Sequence, residues 1–319
     1  MKADGFLADL RRKPEVLRTL AERLADENPW AAVVPPDVDR VVLLGMGSSA
    51  YAAGVAAARM RGRGIIAVSE LASSQLLPDW GPRTLVVATS ASGGSVETLD
   101  ALDRLGSGVR TVALTNTPGS AITSRCGAVV MLDAEPEIGG VACRSYQHTV
   151  ALLLALEAYL TGAYSDAVAA SVAAAADASE HLLGTEEAWR PEVSELLLGP
   201  TGTHLAAPAH RFCSAQQGAL MLREGPRLAA VGCETGDWSH VDVYLTKTTD
   251  YRLLVFAGSP WEPQLAEWTS ARGSTVVAVG GDVPGAGCVV RYPGDEDDDV
   301  RLLTEVLVPE LVAARAWAD

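Results

Sequence analysis

The stretch TLVVATSASGGSVETL, residues Thr84 to Leu99, predicts a strand that leads directly into a helix. Its first part, Leu85 to Thr89, is a run of apolar or small residues of the kind found in buried strands. Its last part, Val96 to Leu99, begins the predicted helix. The turn between them carries no charge and consists mainly of small and hydroxyl residues: Ser90, Ser92, Gly93, Gly94 and Ser95.

This turn has the composition of an anion site. A helix N-terminus presents backbone N–H groups that lack partners within the helix, and its dipole favours negative charge. Glycines let the backbone approach a ligand closely, and serine hydroxyls donate further hydrogen bonds. The natural ligand of such a turn is a phosphate monoester. The alternative is a plain Ser/Gly turn in which one serine only caps the helix.

Four more apolar runs follow one another in the first half of the chain, with helical patterns between them. Strands that alternate with helices predict a doubly wound parallel sheet, and such sheets bind ligands at the carboxyl ends of their strands. A second turn of small residues, Gly47-Ser48-Ser49, follows the first strand. The additional predicted strands are Val41–Leu44, Ile65–Val68, Thr111–Thr115 and Ala128–Leu132.

The pattern restarts after a long helical tract rich in alanine and leucine, from about residue 145 to residue 183. We interpret this as an internal duplication, although α/β halves generally look somewhat alike. The echoes of the first half are Leu196–Gly199 for the first strand, Gly202-Thr203-His204 for the turn after it, Leu253–Ser259 for the Thr84 strand and Thr275–Val279 for the next strand.

The predicted fold class is therefore α/β, with two tandem doubly wound parallel sheets flanked by helices. In the second copy, the turn that corresponds to Ser90–Ser95 contains Pro260 and Glu262, so we expect only the first copy to hold phosphate. The predicted domains are N-terminal helices 1–37, a first sheet domain 38–162, a helical linker 163–191 and a second sheet domain 192–319.

The composition excludes several classes of partner. The 319 residues carry a net charge of −15, which argues against nucleic acid and against anionic membranes as partners. The five cysteines show no CxxC spacing, so neither a disulfide framework nor a metal site is predicted. The N-terminus lacks an apolar signal segment. These features predict a cytoplasmic protein that needs no metal or cofactor.

The second copy contains a candidate acid/base pair. Glu224 ends a predicted helix that Gly225-Pro226 terminates, and His240 follows sixteen residues later in a loop. A carboxylate and a histidine can serve together as general acid and base. From spacing alone, a solvated glutamate and an ordinary loop histidine explain the same pattern.

At this point the motifs resemble a known family. The chain is similar to the SIS (sugar isomerase) family, in particular to the isomerase half of glucosamine-6-phosphate synthases, over nearly its whole length. Gly47–Ser49 resembles the family's Gly-Thr-Ser turn, and Ser90–Ser95 its Ser-Gln-Ser-Gly-Glu-Thr phosphate loop. Glu137–Cys143 resembles Glu-Ile-Gly-Val-Ala-Ser with one extra glycine. Gly218–Glu224 and Gly236–His240 resemble Gly-Ala-Leu-Lys-Leu-Lys-Glu and Gly-Glu-Leu-Lys-His.

The resemblance implies roles for these residues on a phosphorylated sugar substrate. Glu224 would move a proton between C1 and C2, and His240 would open the sugar ring. In the family, the neighbouring subunit provides this histidine, which implies a homodimer with shared active sites. The implied substrate phosphate contacts are Gly47, Ser48, Ser49, Ser90, Ser92, Gly93 and Ser95. The implied contacts to the rest of the substrate are Val141, Ala142 and Cys143.

Departures from the family pattern affect the expected reaction. The chain shows no glutaminase domain, it ends in RAWAD where the synthase has an imine-forming lysine, and Gln217 and Met221 replace a glutamate and a lysine. We therefore expect aldose–ketose isomerisation of an amino-sugar or hexose 6-phosphate through an enediol. Deamination of glucosamine 6-phosphate to fructose 6-phosphate belongs to the same expectation.

Three alternatives remain open at this stage. A SIS deglycase of glycated-amine sugar phosphates would also use a glutamate and a histidine. A sugar-phosphate sensor would bind without turnover, although regulators of this kind usually carry a basic DNA-binding segment, which this chain lacks. A dinucleotide-binding protein would explain Gly45–Ala50 as a G-x-G-x-x-A motif with Glu70 at the end of the next strand.

Overall fold

The computed structural model describes residues 2–163 and 165–318. The chain divides into two compact units, and each contains one sheet. The first-sheet unit consists of Val16–Pro136 and Arg144–Ala173. The second-sheet unit consists of Met1–Glu15, Glu137–Cys143 and Ala174–Asp319.

The first sheet has five parallel strands in the order β2-β1-β3-β4-β5. The strands are β1 Arg40–Gly45, β2 Ile66–Leu71, β3 Thr84–Thr89, β4 Arg110–Thr115 and β5 Ala128–Met131. All six residues of β3 are buried, as expected for a central strand covered on both faces. The five strands predicted for the first half are thus confirmed.

Up to Gly184, the part of the chain that the structure describes contains six α-helices. They are α1 Ala3–Arg11, α2 Lys13–Asp26, α3 Ser48–Gly62, α4 Val96–Asp103, α5 Arg144–Thr161 and α6 Ser165–Gly184. The helix α3 is rich in alanine, and its buried face packs against β1, β2 and α5. Small side chains allow this close approach between helix and sheet.

The second sheet repeats the topology of the first. Its order is β10-β9-β8-β6-β7, again fully parallel, so in both sheets the first strand lies between the second and the third. The strands are β6 Thr203–Ala207, β7 Ala230–Glu234, β8 Arg252–Phe256, β9 Thr275–Val279 and β10 Cys288–Val290. The helices are α7 Glu186–Leu197, α8 Phe212–Glu224, α9 Thr235–Trp238, α10 Glu262–Ala271, α11 Asp298–Thr304 and α12 Leu307–Ala318. The predicted fold class, two tandem parallel sheets flanked by helices, is confirmed.

One part of the predicted duplication is wrong. Leu196 and Leu197 end α7 and do not form the first strand of the second sheet, which is β6. The leucines belong to an amphipathic helix in which Trp189, Val193 and Leu197 are buried at a spacing of four residues. His204 consequently lies inside β6 and not in a turn equivalent to Gly47–Ser49.

Among the residues that the structure describes, every helix is too short or too polar to cross a membrane.

Candidate functional site

The first sheet has a switch point between β1 and β3. These two strands are parallel neighbours, with Leu44 opposite Ala88, and both end at the same edge. From β1 the chain continues to β2 on one side, and from β3 it continues to β4 on the other. Ligands of doubly wound sheets bind in the crevice at such a point. The turns that contain Gly47–Ser49 and Ser90–Ser95 leave the sheet here.

The Ser90–Ser95 loop is held by its own hydroxyl groups. Ser90 is buried, and its Oγ accepts a 3.4 Å hydrogen bond from the Ser95 N–H group. Ser92 Oγ accepts from the Gly94 N–H group at 3.3 Å. Ser95 caps α4, because its Oγ accepts from the Thr98 N–H group at 3.4 Å. The capping role foreseen as the plain alternative is therefore present, together with exposed hydroxyl and N–H groups around Ser92 and Gly94.

Gly93 is the residue that fixes the shape of this loop. Its φ of 66° lies in the left-handed region, and an added Cβ would lie 1.9 Å from Ser120 Oγ. The Gly93 carbonyl accepts a hydrogen bond from the Ile122 N–H group at 3.0 Å. Only glycine fits this position without displacing the neighbouring segment.

The turn after β1 brings α3 close to the sheet. Gly47 is the N-cap of α3 and has a φ of 51°, with open space where a Cβ would be. A Cβ on Gly45 would lie 2.8 Å from Ser49 Cβ, so the strand end and the first turn of the helix are in tight contact. Ser48 and Ser49 are half-buried in the first turn of α3. The turn thus offers N–H and hydroxyl groups at the N-terminus of a helix that is fifteen residues long.

Glu224 belongs to the second-sheet unit, where it is the last residue of α8. Its side chain is half-buried, and burial raises the pKa of its carboxyl group, an effect that the charge of Arg223 opposes. A pKa closer to neutrality suits a carboxylate that must both accept and return a proton.

His240 lies in the turn that follows α9 and is exposed. Its N–H group donates to the Asp237 carbonyl at 2.8 Å. Two residues earlier, the fully buried Trp238 donates its Nε1–H to the Tyr251 hydroxyl at 2.8 Å. The His240 imidazole is therefore carried on an exposed turn, and the buried Trp238 side chain anchors this turn.

The segment Val141-Ala142-Cys143 is largely enclosed within the second-sheet unit. The side chains of Val141 and Cys143 are buried, and burial raises the pKa of the Cys143 thiol. The Cys143 N–H group donates to Glu137 Oε1 at 2.7 Å, and the Ala142 carbonyl accepts from Gln217 Nε2 at 2.9 Å. A substrate could reach only the backbone of this segment and the half-buried Ala142.

The corresponding loop of the second sheet, which follows β8, contains a carboxylate. After β8, the N–H groups of Gly258 and Ser259 both donate to Glu262 Oε1, at 2.5 and 2.7 Å. Successive N–H groups that converge on one oxygen form an anion-binding concavity. Here the protein's own carboxylate occupies it, whereas the Ser90–Ser95 loop contains no carboxylate.

The sequence pattern gives no sign of the buried side chains around His240. The pattern predicts His204 in a turn, whereas the structure places it in β6 beside Asp242 and Tyr251. All five cysteines are free. Over residues 2–163 and 165–318, no group of three or more His, Cys, Asp or Glu side chains is arranged to hold a metal ion.

Comparisons with known proteins show what this chain is similar to. Residues 37–161 match the family model described as SIS domain. The glutamine–fructose-6-phosphate aminotransferase (isomerizing) of Streptococcus pneumoniae serotype 4 is 25% identical over 298 residues, which cover 87% of this chain and 48% of the relative. That of Aeropyrum pernix is 26% identical over 290 residues, which cover 86% of this chain and 47% of the relative. The chain thus spans about half the length of these curated relatives.

Solved structures share the fold over the whole chain. The C-terminal domain of glucosamine-fructose-6-phosphate aminotransferase from Francisella tularensis superposes with a TM-score of 0.82 at 15% identity, covering 100% of this chain and 98% of that one. Glucosamine-6-phosphate deaminase from Thermotoga maritima gives 0.75 at 19% identity, with 98% and 94% covered. Tagatose-6-phosphate ketose/aldose isomerase from Escherichia coli gives 0.75 at 16% identity, with 99% and 94% covered.

Residues 37–161 therefore match a SIS domain. Over most of its length, the chain resembles the isomerase domain, which is the C-terminal domain, of glucosamine-fructose-6-phosphate aminotransferase.

Proposed function

We propose that this protein is a phosphosugar isomerase that acts on an amino-sugar or hexose 6-phosphate. The observation that carries the proposal is the charge-free Ser90–Ser95 loop at the switch point of the first sheet. Its hydroxyl and N–H groups suit a phosphate monoester, and Gly93 gives the loop a shape that other residues cannot adopt. The relatives named above act on sugar 6-phosphates, which supports the same substrate class.

The phosphate has a positioning role in this proposal. Ser90, Ser92 and Ser95, together with the Gly47–Ser49 turn, would hold it through hydroxyl and backbone N–H groups. Each hydrogen bond to a charged group contributes about 1.5–3 kcal/mol. The protein's net charge of −15 supplies no general attraction for an anion, so these local donors must provide the affinity. A fixed phosphate orients the sugar chain, and orientation is a large part of the catalytic barrier.

Glu224 is the proposed proton carrier. In the open-chain aldose, its carboxylate removes the proton from C2, and the electron pair forms the C1–C2 double bond of an enediol. The same carboxyl group then returns a proton to C1 while a hydroxyl proton moves from O2 to O1, which gives the ketose. For a 2-amino sugar, the same transfer yields a C2 imine, which water hydrolyses to the ketose and ammonia. His240 would open the ring by moving a proton between the anomeric hydroxyl and the ring oxygen.

The residues around α8 favour isomerisation over the synthase reaction. Met221 is fully buried, and Gln217 Nε2 lies 3.6 Å from its Sδ atom, so this pair of positions carries no charge. A lysine amine is therefore absent from the position where the resemblance would place one. The proposed function includes no imine between the substrate and a lysine side chain; the C2 imine formed from a 2-amino sugar is only an intermediate of its deamination.

A homodimer belongs to the same proposal, with His240 acting in the neighbouring subunit's site. The exposed apolar side chains next to His240 support this assembly. Tyr244 is 62% exposed and Val241 is 53% exposed, which are large values for apolar residues beside a proposed catalytic turn.

The decisive experiment is turnover in deuterium oxide with a panel of hexose, hexosamine and glycated-amine 6-phosphates. We expect ketose phosphate as product, deuterium at C1 or C2, and ammonia only from the hexosamine. Glu224→Gln should lower turnover by about 10²–10⁴-fold while it still binds substrate. Glu267→Gln, an exposed glutamate on α10, is the matched control and should retain full activity.

The other outcomes identify the other functions. Free amine from the glycated substrates alone would indicate a deglycase, and binding without turnover would indicate a sensor. Normal turnover by Glu224→Gln, or product without deuterium exchange, would rule out the enediol mechanism.

A further inference from the structure

Four buried side chains form a cluster next to the turn that carries His240. We call it the His204 cluster; it consists of His204, Trp238, Asp242 and Tyr251. Their exposed fractions are 8%, 0%, 7% and 2%. The polar groups of this cluster are thus shielded from water, and each needs a partner within the protein.

The contacts within the His204 cluster form a chain. Trp238 Nε1 donates to the Tyr251 hydroxyl at 2.8 Å. The Tyr251 ring stacks on the His204 ring, with 4.2 Å between centroids and an interplanar angle of 24°. His204 Nδ1 faces Asp242 Oδ2 at 3.5 Å, and neither of these two atoms makes a hydrogen bond. The indole on one side of the turn is thereby linked to the carboxylate on the other.

The sequence positions of the cluster explain why this chain matters. Trp238 precedes His240 by two residues, and Asp242 follows it by two. His204 lies in β6, which is hydrogen-bonded to β7 on one side and to β8 on the other. The exposed turn is therefore tied at both ends, through Asp242 to His204 in β6 and through Trp238 to Tyr251, the residue before β8. Such support is what a precisely oriented functional group needs.

The electrostatic effects of Asp242 place its carboxylate inside the cluster. After burial, the Asp242 charge is the next cause that raises the pKa of Tyr251. The Asp242 charge is also the second-largest cause, after burial, that raises the pKa of Cys233 to about 12. A buried carboxylate is costly unless a donor compensates it. Asp242 Oδ2 makes no hydrogen bond, and the imidazole of His204 is the polar group that faces it at 3.5 Å.

We propose that His204 and Asp242 are positioning residues for His240. Their contact fixes the main chain after His240, as the bond between Trp238 and Tyr251 fixes the main chain before it. This inference rests on the proposed function only through the role of His240 in ring opening. The fixed turn itself is a property of the second-sheet unit and can be measured without a substrate.

Two variants test the contact without removing the packing. His204→Phe keeps a ring against Tyr251 but removes both nitrogens, and Asp242→Asn keeps the size of the side chain but removes its charge. The matched control is Asp282→Asn, which removes a well-exposed carboxylate from the same unit. His204→Gln, which restores a nitrogen donor, serves as the conservative rescue.

Hydrogen exchange gives the first readout. The N–H groups of His240 and Val241 both donate to the Asp237 carbonyl, at 2.8 and 3.1 Å. We expect these amides to exchange about tenfold faster in His204→Phe and Asp242→Asn, with unchanged rates in β6 and β8 and in the control variant. Unchanged rates at His240 and Val241 would overturn the inference, whatever the protein's activity. Faster exchange throughout the unit would also overturn it, because it would show a merely structural role.

Kinetics with two kinds of substrate give the second readout. For a hexose 6-phosphate, which must be opened, kcat should fall by about 10- to 100-fold with KM within twofold, because small misplacements of catalytic groups are costly. A four-carbon aldose 4-phosphate has its ring-closing hydroxyl blocked and needs no opening, so its kcat should stay unchanged. An equal loss for both substrates would overturn the inference. If the wild type converts no sugar phosphate at all, the proposed function fails and the exchange rates alone decide on the positioning contact.

Discussion

The indole of Trp317 lies against Gly225, the residue that directly follows Glu224. A Cβ on Gly225 would come within 2.9 Å of Trp317 Cε3, so the end of α8 and the last turns of α12 are in close contact. The Phe6 ring lies on Trp317, with 6.3 Å between centroids. Two aromatic rings are thus packed next to the residue that follows the proposed catalytic carboxylate.

Replacing Trp317 should therefore lower the pKa of Glu224. Burial is the largest cause that raises this pKa, and Trp317→Ala admits water next to the end of α8. The acidic limb of the pH profile of kcat/KM should move to lower pH, because the base would remain ionised there. Trp317→Phe should keep most of the wild-type profile, and Trp268→Ala, at a position on α10 that is 40% exposed, is the control. A profile that stays in place in Trp317→Ala would contradict the prediction.

Gly93→Ala should disturb the Ser90–Ser95 loop more than a methyl group added at any other position of that loop. The new Cβ would lie 1.9 Å from Ser120 Oγ on a residue with a φ of 66°. We expect a loss of roughly 1–3 kcal/mol in the free energy of unfolding and a marked loss of phosphate binding. Urea titration and calorimetry with inorganic phosphate measure the two effects. Gly94→Ala is the control for stability, since its Cβ would come no closer than 4.0 Å to a neighbouring atom. Equal stabilities for the two variants would show that Ser120 moves away freely.

The sequence predicts this loop well because its information is local. A buried strand, small hydroxyl residues and a helix start follow one another from Thr84 to Leu99, and both sheets follow from the same kind of pattern. The first strand of the second sheet escapes prediction because the leucines before it are the last turn of a helix. The contact between His204 and Asp242 escapes it because the two residues are far apart in the chain and no periodicity links a strand to a loop. The sequence shows that Glu262 replaces a serine of the first copy. It does not show that this carboxylate accepts hydrogen bonds from the N–H groups of Gly258 and Ser259.

Ser92→Ala is the cleanest test of the proposed phosphate contacts. Ser92 is exposed, and its Oγ accepts only a long hydrogen bond from Gly94, so the folded state should lose little. Loss of one hydrogen bond to a charged group corresponds to a roughly 10- to 100-fold weaker Kd for a sugar phosphate. Ser95→Ala should weaken binding as well, but it also removes the cap of α4, which costs about 1 kcal/mol. Calorimetric titration together with thermal melting separates the two effects, and unchanged binding in Ser92→Ala/Ser95→Ala would remove the phosphate site from the proposal.

The buried pair of Lys13 and Glu310 should dominate the stability of the second-sheet unit. Both side chains are fully buried, and Lys13 Nζ donates to Glu310 Oε2. Lys13→Met leaves the Glu310 carboxylate without a partner, which typically costs about 3–5 kcal/mol. The double variant Lys13→Met/Glu310→Leu replaces the pair by apolar groups and should recover most of that loss. Urea unfolding at pH 8 measures both, and a double variant less stable than Lys13→Met would contradict the prediction.

Two buried glutamates should make stability depend on pH near neutrality. Burial raises the pKa of Glu305 and of Glu310 to about 7, against the opposing charges of Arg211 and Lys13. Because these folded pKa values lie above the unfolded value, the folded state binds more protons between about pH 4.5 and pH 7. The contribution of these groups is therefore complete below the unfolded pKa and is lost as the pH rises through about 7. Urea midpoints between pH 5 and pH 8 should fall with rising pH, and Glu305→Gln should flatten the slope; a midpoint that rises over this range would show that other groups dominate.

The proposed shared site predicts complementation between inactive subunits. If His240 of one chain serves the site that contains Glu224 of another, Glu224→Gln and His240→Ala homodimers should each be inactive. After subunit exchange, the mixed dimer would contain one site with both residues intact and one with neither, so about a quarter of the wild-type activity is expected from a statistical 1:2:1 mixture of dimers. A mixture of wild type with Glu224→Gln/His240→Ala controls for the exchange itself, which mass spectrometry of labelled chains can verify. Verified exchange without recovery of activity would mean that both residues act in the site of their own chain.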